Sequence, residues 1–150
     1  MQPRDPQFEG RVRASFARQP FMATLGATLA RVAPGEVDIR LPVAAVLLQQ
    51  HGSVHAGALA SVLDSSAGYA ALSLMPTGAG VVSVEFKLNL LEPARGEAIE
   101  ARGRVLRAGR TIFACTAEAW ALGAPHPPGG KLVAIFQGTM MCLEGRGVSD

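Results

Sequence analysis

The chain has 150 residues and a mass of 15.6 kDa, the size of one ordinary domain and long enough to bury a core without a disulfide or metal staple. Fourteen Lys and Arg against 12 Asp and Glu leave a net charge of +2, too little basic charge for a nucleic-acid partner. With 49% hydrophobic residues and a mean hydropathy of +0.24, disorder is excluded, and a surface buried by self-association is expected.

Residues Asp5 to Arg18 place Phe8, Val12 and Phe16 at helical spacing. Pro20 ends that helix, and a short helical turn over Phe21 to Leu25 follows. Ala27 to Val32 reads as a strand, and Val37, Ile39 and Leu41 alternate with Asp38 and Arg40 as a second. A loop from Ala44 to His55 leads into an apolar segment from Ala56 to about Ser73, stopped by Pro76 and Gly78. That segment is interrupted by Ser61, Asp64, Ser65, Ser66, Gly68 and Ser73, so it reads as a buried core helix and not as a membrane span. Beyond it the pattern is sheet: Val82 to Leu90, Ile99 to Leu106, Thr111 to Leu122 and Lys131 to Leu143, with a tail from Glu144 expected to fray. The order predicts one α+β domain over 1–150, a long helix wrapped by an antiparallel sheet, with a helical segment over about 1–24. The N-terminal MQPRDPQFEG has no apolar stretch of a signal peptide, and Cys115 and Cys142 read as buried free thiols, so a cytoplasmic protein is expected.

From Leu41 to Val84, Asp64 is the only charged residue among 44. A carboxylate in an apolar helix is costly unless it is paired or hydrogen-bonded, so a working group is indicated over a surface Asp or one tied to a nearby Ser. The loop ahead of it, Gln49-Gln50-His51-Gly52-Ser53-Val54-His55-Ala56-Gly57, ends at a helix N-terminus whose bare N–H groups form an oxyanion or anion site. Small residues line the Asp64 face (Gly57, Ala60, Ser61, Ala67, Gly68, Ala71) and fit either tight packing on the sheet or a slim channel to the carboxylate. His51 and His55 are spaced i, i+4, but Gly52 and Ser53 delay the helix and no third ligand is well spaced, so no metal is expected. Ala56 and Asp64 lie about 12 Å apart along one helix. One carbonyl cannot reach both within one chain, so a site that uses both requires a dimer.

HGSVHAGALASVLDSSAGYAA, VVSVEFKLNLLEPA and the RAGRT hairpin resemble the hotdog-fold acyl-CoA thioesterases of the phenylacetate-degradation (PaaI-like) type, from about Leu25 to Leu143. The resemblance implies a hotdog fold, two subunits joined through a continuous sheet in a dimer or a dimer of dimers, an acyl-CoA substrate and no separate cofactor. It further implies that Asp64 is the catalytic nucleophile or general base and that the N–H of Ala56, where the family usually has Gly, polarises the carbonyl. His55 matches the family's adjoining His, Gln49 an Asn or Gln that orients carbonyl or water, and Ser83 a water-positioning Ser or Thr. Gly57, Ser65 and Gly68 would border the substrate, Asn89 matches a strand Asn, and Arg107 and Arg110, with Arg102 and Arg104, are candidates for the phosphates of coenzyme A. Two alternatives stand beside hydrolysis: a non-catalytic acyl-CoA-binding module, against which Asp64 argues, and an enoyl-CoA hydratase, whose Asp–His spacing His55 and Asp64 fit poorly.

Overall fold

In the four inner strands of the sheet, alternation of apolar and polar side chains decides which face meets the long helix. The computed structural model describes residues 1–145 and 147–150; Arg146, within the tail expected to fray, lies outside the described residues. In chain order the elements are α1 (Phe8–Ala17), α2 (Pro20–Leu25), β1 (Thr28–Ala33), β2 (Glu36–Pro42), a single 3₁₀ turn (Ala45–Leu47), α3 (Ala56–Leu72), β3 (Gly80–Leu90), β4 (Ala98–Ala108), β5 (Ile112–Leu122) and β6 (Lys131–Leu143). The strands form one antiparallel sheet in the order β1-β2-β4-β5-β6-β3, the hotdog arrangement with α3 on its inner face. Eleven of the 17 residues of α3 are buried, so this helix is the core itself and not a cover on it.

Alternate residues of β4 and β5, among them Ala101, Val105, Phe113, Cys115, Ala117 and Ala119, point inward and are buried. Gly103 lies directly beneath the helix: a Cβ there would sit 2.3 Å from the backbone carbonyl of Ser66. Helix and sheet therefore meet backbone to backbone at Ser66–Ala67, which accounts for part of the small-residue pattern. The other end of α3 is closed by α1. The Arg11 guanidinium donates to the carbonyls of Leu72 and Met75 at 2.8 Å each and of Pro76 at 2.5 Å, and pairs with Asp5 at 3.3 Å. A cation on these last carbonyls also opposes the helix dipole.

Strand β3 pairs only with β6, leaving its other edge open. Along it Val82, Val84, Phe86 and Leu90 are exposed by 36–55%. A long apolar unpaired edge is a template for another strand. A bulge between Ser83 and Glu85 places Val84 as the extra residue and turns Ser83 toward α3. The tail residue Asp150 lies against this end of β3, its Oδ2 accepting the Val81 N–H at 2.8 Å and its Oδ1 accepting the Ser15 hydroxyl at 2.8 Å.

Candidate active site

The loop before α3 is held by its own backbone. Gln49 N–H donates to Ser53 at 2.8 Å, His55 N–H to Leu47 at 2.8 Å, and Val54 N–H to Ala94 at 2.8 Å, which stitches the loop to the turn after β3. His55 is the N-cap of α3: its Nδ1 accepts the Gly57 N–H at 2.8 Å, which leaves the ring proton on Nε2. Gly57 therefore spends its N–H on the cap, while the Ala56 N–H has no acceptor among the described residues and is open to a ligand. Gln49 turns its Oε1 to the His51 N–H, so its amide NH₂ remains available.

These groups line a groove of about 690 Å³ with Leu59, Leu90, Leu91 and Arg95. Arg95 was hidden in the sequence, where Pro93-Ala94-Arg95-Gly96 signals only a turn. The Val54–Ala94 bond brings that turn to the helix start, and Arg95 donates to Ser53 Oγ at 3.2 Å and to the His51 carbonyl at 3.4 Å.

Asp64 lies elsewhere. It borders a separate cavity of about 120 Å³ together with Ser65, Gly68 and Ser83. Ser83 donates to Asp64 Oδ1 at 2.6 Å; Oδ2 has no partner among the described residues. Burial pushes the Asp64 carboxyl above the ordinary carboxylate range, and the Ser83 hydroxyl draws it partly back. The carboxylate is thus a stronger base than a solvated one and has a free oxygen to use.

The proposed site residues fall into four places. Gln49, His55, Ala56 and Gly57 gather at the helix start, while Asp64, Ser65, Gly68 and Ser83 gather at its middle. Asn89 sits with Lys87, Arg102 and Arg104 in a groove on the outer face of the sheet, away from both. Arg102 and Arg104 are taken up there: Arg104 pairs with Asp38 at 2.5 Å, and Arg102 pairs with Glu100 at 2.8 Å while stacking over Trp120. Arg107 and Arg110 stand exposed at the β4–β5 hairpin, at the Ser83 end of the sheet by register, since Phe113 faces Met140 and Met140 faces Ser83. His51 is exposed on the turn, and its ring Nε2 lies 3.3 Å from the neighbouring Gln50 amide nitrogen.

The family model of the thioesterase superfamily matches residues 51–124, the span that holds the end of the loop from His51 on, α3, the β3 edge and the hairpin. A thioesterase family protein from Silicibacter pomeroyi is 46% identical, superposes with a TM-score of 0.86, and is matched over 99% of its length and 92% of this chain. The chain belongs to the thioesterase superfamily. The PaaI protein of the E. coli phenylacetic acid degradation operon shares the fold of this thioesterase-superfamily chain, with a TM-score of 0.81 at 22% identity over 95% of this chain and 97% of its own. A Halobacterium salinarum protein named as a candidate esterase is 31% identical over 96 residues, and the chain spans only 63% of that relative's length. Among the described residues no helix of this thioesterase-superfamily protein is long and apolar enough to cross a membrane.

Proposed function

We propose that the protein hydrolyses acyl-CoA thioesters at a site shared by two copies of the chain. The observation that carries this is Asp64, a half-buried carboxylate bonded by Ser83 alone at 2.6 Å, in a pocket separate from the one that holds the free Ala56 N–H. The open edge of β3 supplies the means of joining them. If two β3 strands pair antiparallel about a twofold axis near Phe86 and Lys87, the Leu90 end of one lies beside the Ser83 end of the other. The Ala56 groove of one chain then faces the partner subunit's Asp64, and the partner subunit's Arg107 and Arg110 come to the same end. With Arg95, they are the cations for the carrier phosphates. Asn89, on the outer face, takes no part.

In this reading the thioester carbonyl oxygen accepts the Ala56 N–H, and Gln49 orients the carbonyl or the water through its NH₂. The free Oδ2 of Asp64 removes a proton from water as the water oxygen bonds to the carbonyl carbon. The C–S bond breaks, the thiolate leaves, and the proton held by Asp64 returns to it, giving the free acid and coenzyme A. A thiol of ordinary pKa, about 8.5, leaves without a strong general acid, which is why one carboxylate and one donor suffice. Coenzyme A is part of the substrate, and the reading requires no further cofactor. Cys115 and Cys142 are both buried and unbridged, which supports the expected reducing, cytoplasmic setting.

The test is thiol release from a panel of acyl-CoAs by the wild type and Asp64→Asn. Turnover that falls by at least about 10² in the variant, with the fold unchanged, supports the reading. Binding of acyl-CoA without any turnover would replace it with a binding module.

A further inference from the structure

Only part of the small-residue face of α3 is explained by packing on the sheet. Gly103 needs its missing side chain because Ser66 sits on it, but Gly68 does not: a Cβ there meets nothing within 4 Å, and its φ is not positive. A glycine inside a helix is disfavoured relative to alanine. Here neither the backbone nor the packing calls for one. What its absence leaves is the cavity beside Asp64.

The far wall of that cavity is polar and held in place. Asp150 is fixed by the Ser15 hydroxyl and the Val81 N–H at 2.8 Å each, and Ser15 Oγ lies 3.3 Å from the Tyr69 hydroxyl. Gln19 and Asp64 also line it, so the cavity has two carboxylates and no cation among its described lining residues. Its volume is about 120 Å³. A cavity of about 150 Å³ takes up a benzene molecule, so this smaller one holds a group of at most about six heavy atoms.

We propose that this cavity receives the acyl group and that Gly68 and Asp150 select it: Gly68 sets the width, and Asp150 closes the end with a carboxylate, so compact acyl groups without a terminal anion are accepted. The inference rests on the thioesterase reading, because it is the carbonyl poised at Asp64 that directs the acyl end into this space. An acyl group ending in its own carboxylate would lie between Asp64 and Asp150 with no cation in the described lining; Arg18 acts on the lining Tyr69 through space, but less than Asp150 does, so repulsion between like charges in a partly dry cavity prevails.

The test measures kcat/KM on straight-chain acyl-CoAs from butanoyl to dodecanoyl, and on hexanoyl-CoA against its ω-carboxyl counterpart, adipoyl-CoA. The wild type, Gly68→Ala, Gly68→Val and Asp150→Asn are compared. Gly68→Ala, which helix propensity favours, is expected to melt no lower than the wild type while its length optimum moves to shorter chains; Gly68→Val moves it further. Asp150→Asn is expected to raise the adipoyl-to-hexanoyl ratio by about tenfold or more, about 1.4 kcal/mol of discrimination. Unchanged length and charge ratios in folded, active variants overturn this inference and leave the thioesterase intact. No thiol release by the wild type from any member overturns the thioesterase reading, and this inference with it.

Discussion

At the start of α3 the molecule presents a groove of about 690 Å³ with an unpartnered N–H at Ala56 and the cation of Arg95; at the middle of the same helix, around Asp64, it presents a cavity of about 120 Å³ with carboxylates and no cation in its described lining. The separation has a chemical use. A carboxylate placed at a helix N-terminus would be held ionised by the N–H groups and the dipole and would be a weak base. Asp64, in the apolar middle, is kept basic by burial, and the donors at the helix start stay free for a ligand. Each half is strong because it is apart from the other within one chain, and in the proposed dimer pairing across β3 would unite them.

The sharpest way to break this comparison is to keep two chains apart. Val84 is 51% exposed at the bulge of the open β3 edge, and a charge there opposes pairing. Val84→Glu is expected to sediment as a monomer with unchanged far-UV circular dichroism. Thiol release should drop by about 10²–10³, the effect of losing an oxyanion donor. A monomer with full turnover would show that one chain suffices.

Ser83→Ala acts on the Asp64 half alone. The Ser83 hydroxyl lowers the Asp64 pKa against the larger, raising effect of burial, so its removal sends the pKa further up. The acid limb of kcat/KM should move to higher pH, with a loss of about tenfold on the plateau. The stability sign is opposite to that of a salt-bridged Asp. A carboxyl whose pKa is raised on folding binds protons more readily in the folded state, so its contribution is present at low pH and lost as pH rises through the folded pKa. Asp64→Asn should therefore be at least as stable as the wild type near neutrality while being inactive. Thermal melts across the acid range check both statements.

His55 separates a cap from a catalyst in the other half. As N-cap it accepts the Gly57 N–H at 2.8 Å, and His55→Ala should cost about 1 kcal/mol of stability and several-fold in activity. Asparagine caps a helix equally well, so His55→Asn is expected to recover both. A variant that recovers stability but not turnover would give the imidazole a direct part in the reaction.

Much of this was legible in the sequence for identifiable reasons. Period-two alternation from Val82 to Leu90 and the lone charge at Asp64 are local signals, and the strand, the helix and the carboxylate appear where they were read. Arg102 and Arg104, candidates for phosphate contacts, are held in ion pairs: Glu100 reaches Arg102 from two residues away on the same strand, but the Asp38 that pairs with Arg104 is brought by antiparallel register, which is not written in any one segment. Asn89 falls on the outer face for a related reason: the bulge between Ser83 and Glu85 shifts the pairing that follows. Arg95, Gln19 and Asp150 reach their cavities through a turn, a helix end and a tail, whose placement depends on contacts from distant parts of the chain.

The smallest effect tests the groove's cation. Arg95 braces Ser53 and the His51 carbonyl while remaining exposed, so its charge acts through solvent and is screened by salt. Arg95→Ala should raise KM for acyl-CoA by about threefold at low ionic strength with kcat nearly unchanged, an effect of about 0.6 kcal/mol. Added salt should close the gap between variant and wild type, because the wild type loses the attraction that the variant already lacks. A thioester on a short uncharged thiol, which has no phosphates, should show no such difference. If it does, Arg95 serves the loop's shape and not the carrier's charge. The salt titration and the neutral thioester together separate a phosphate contact from a brace at the Ala56 end.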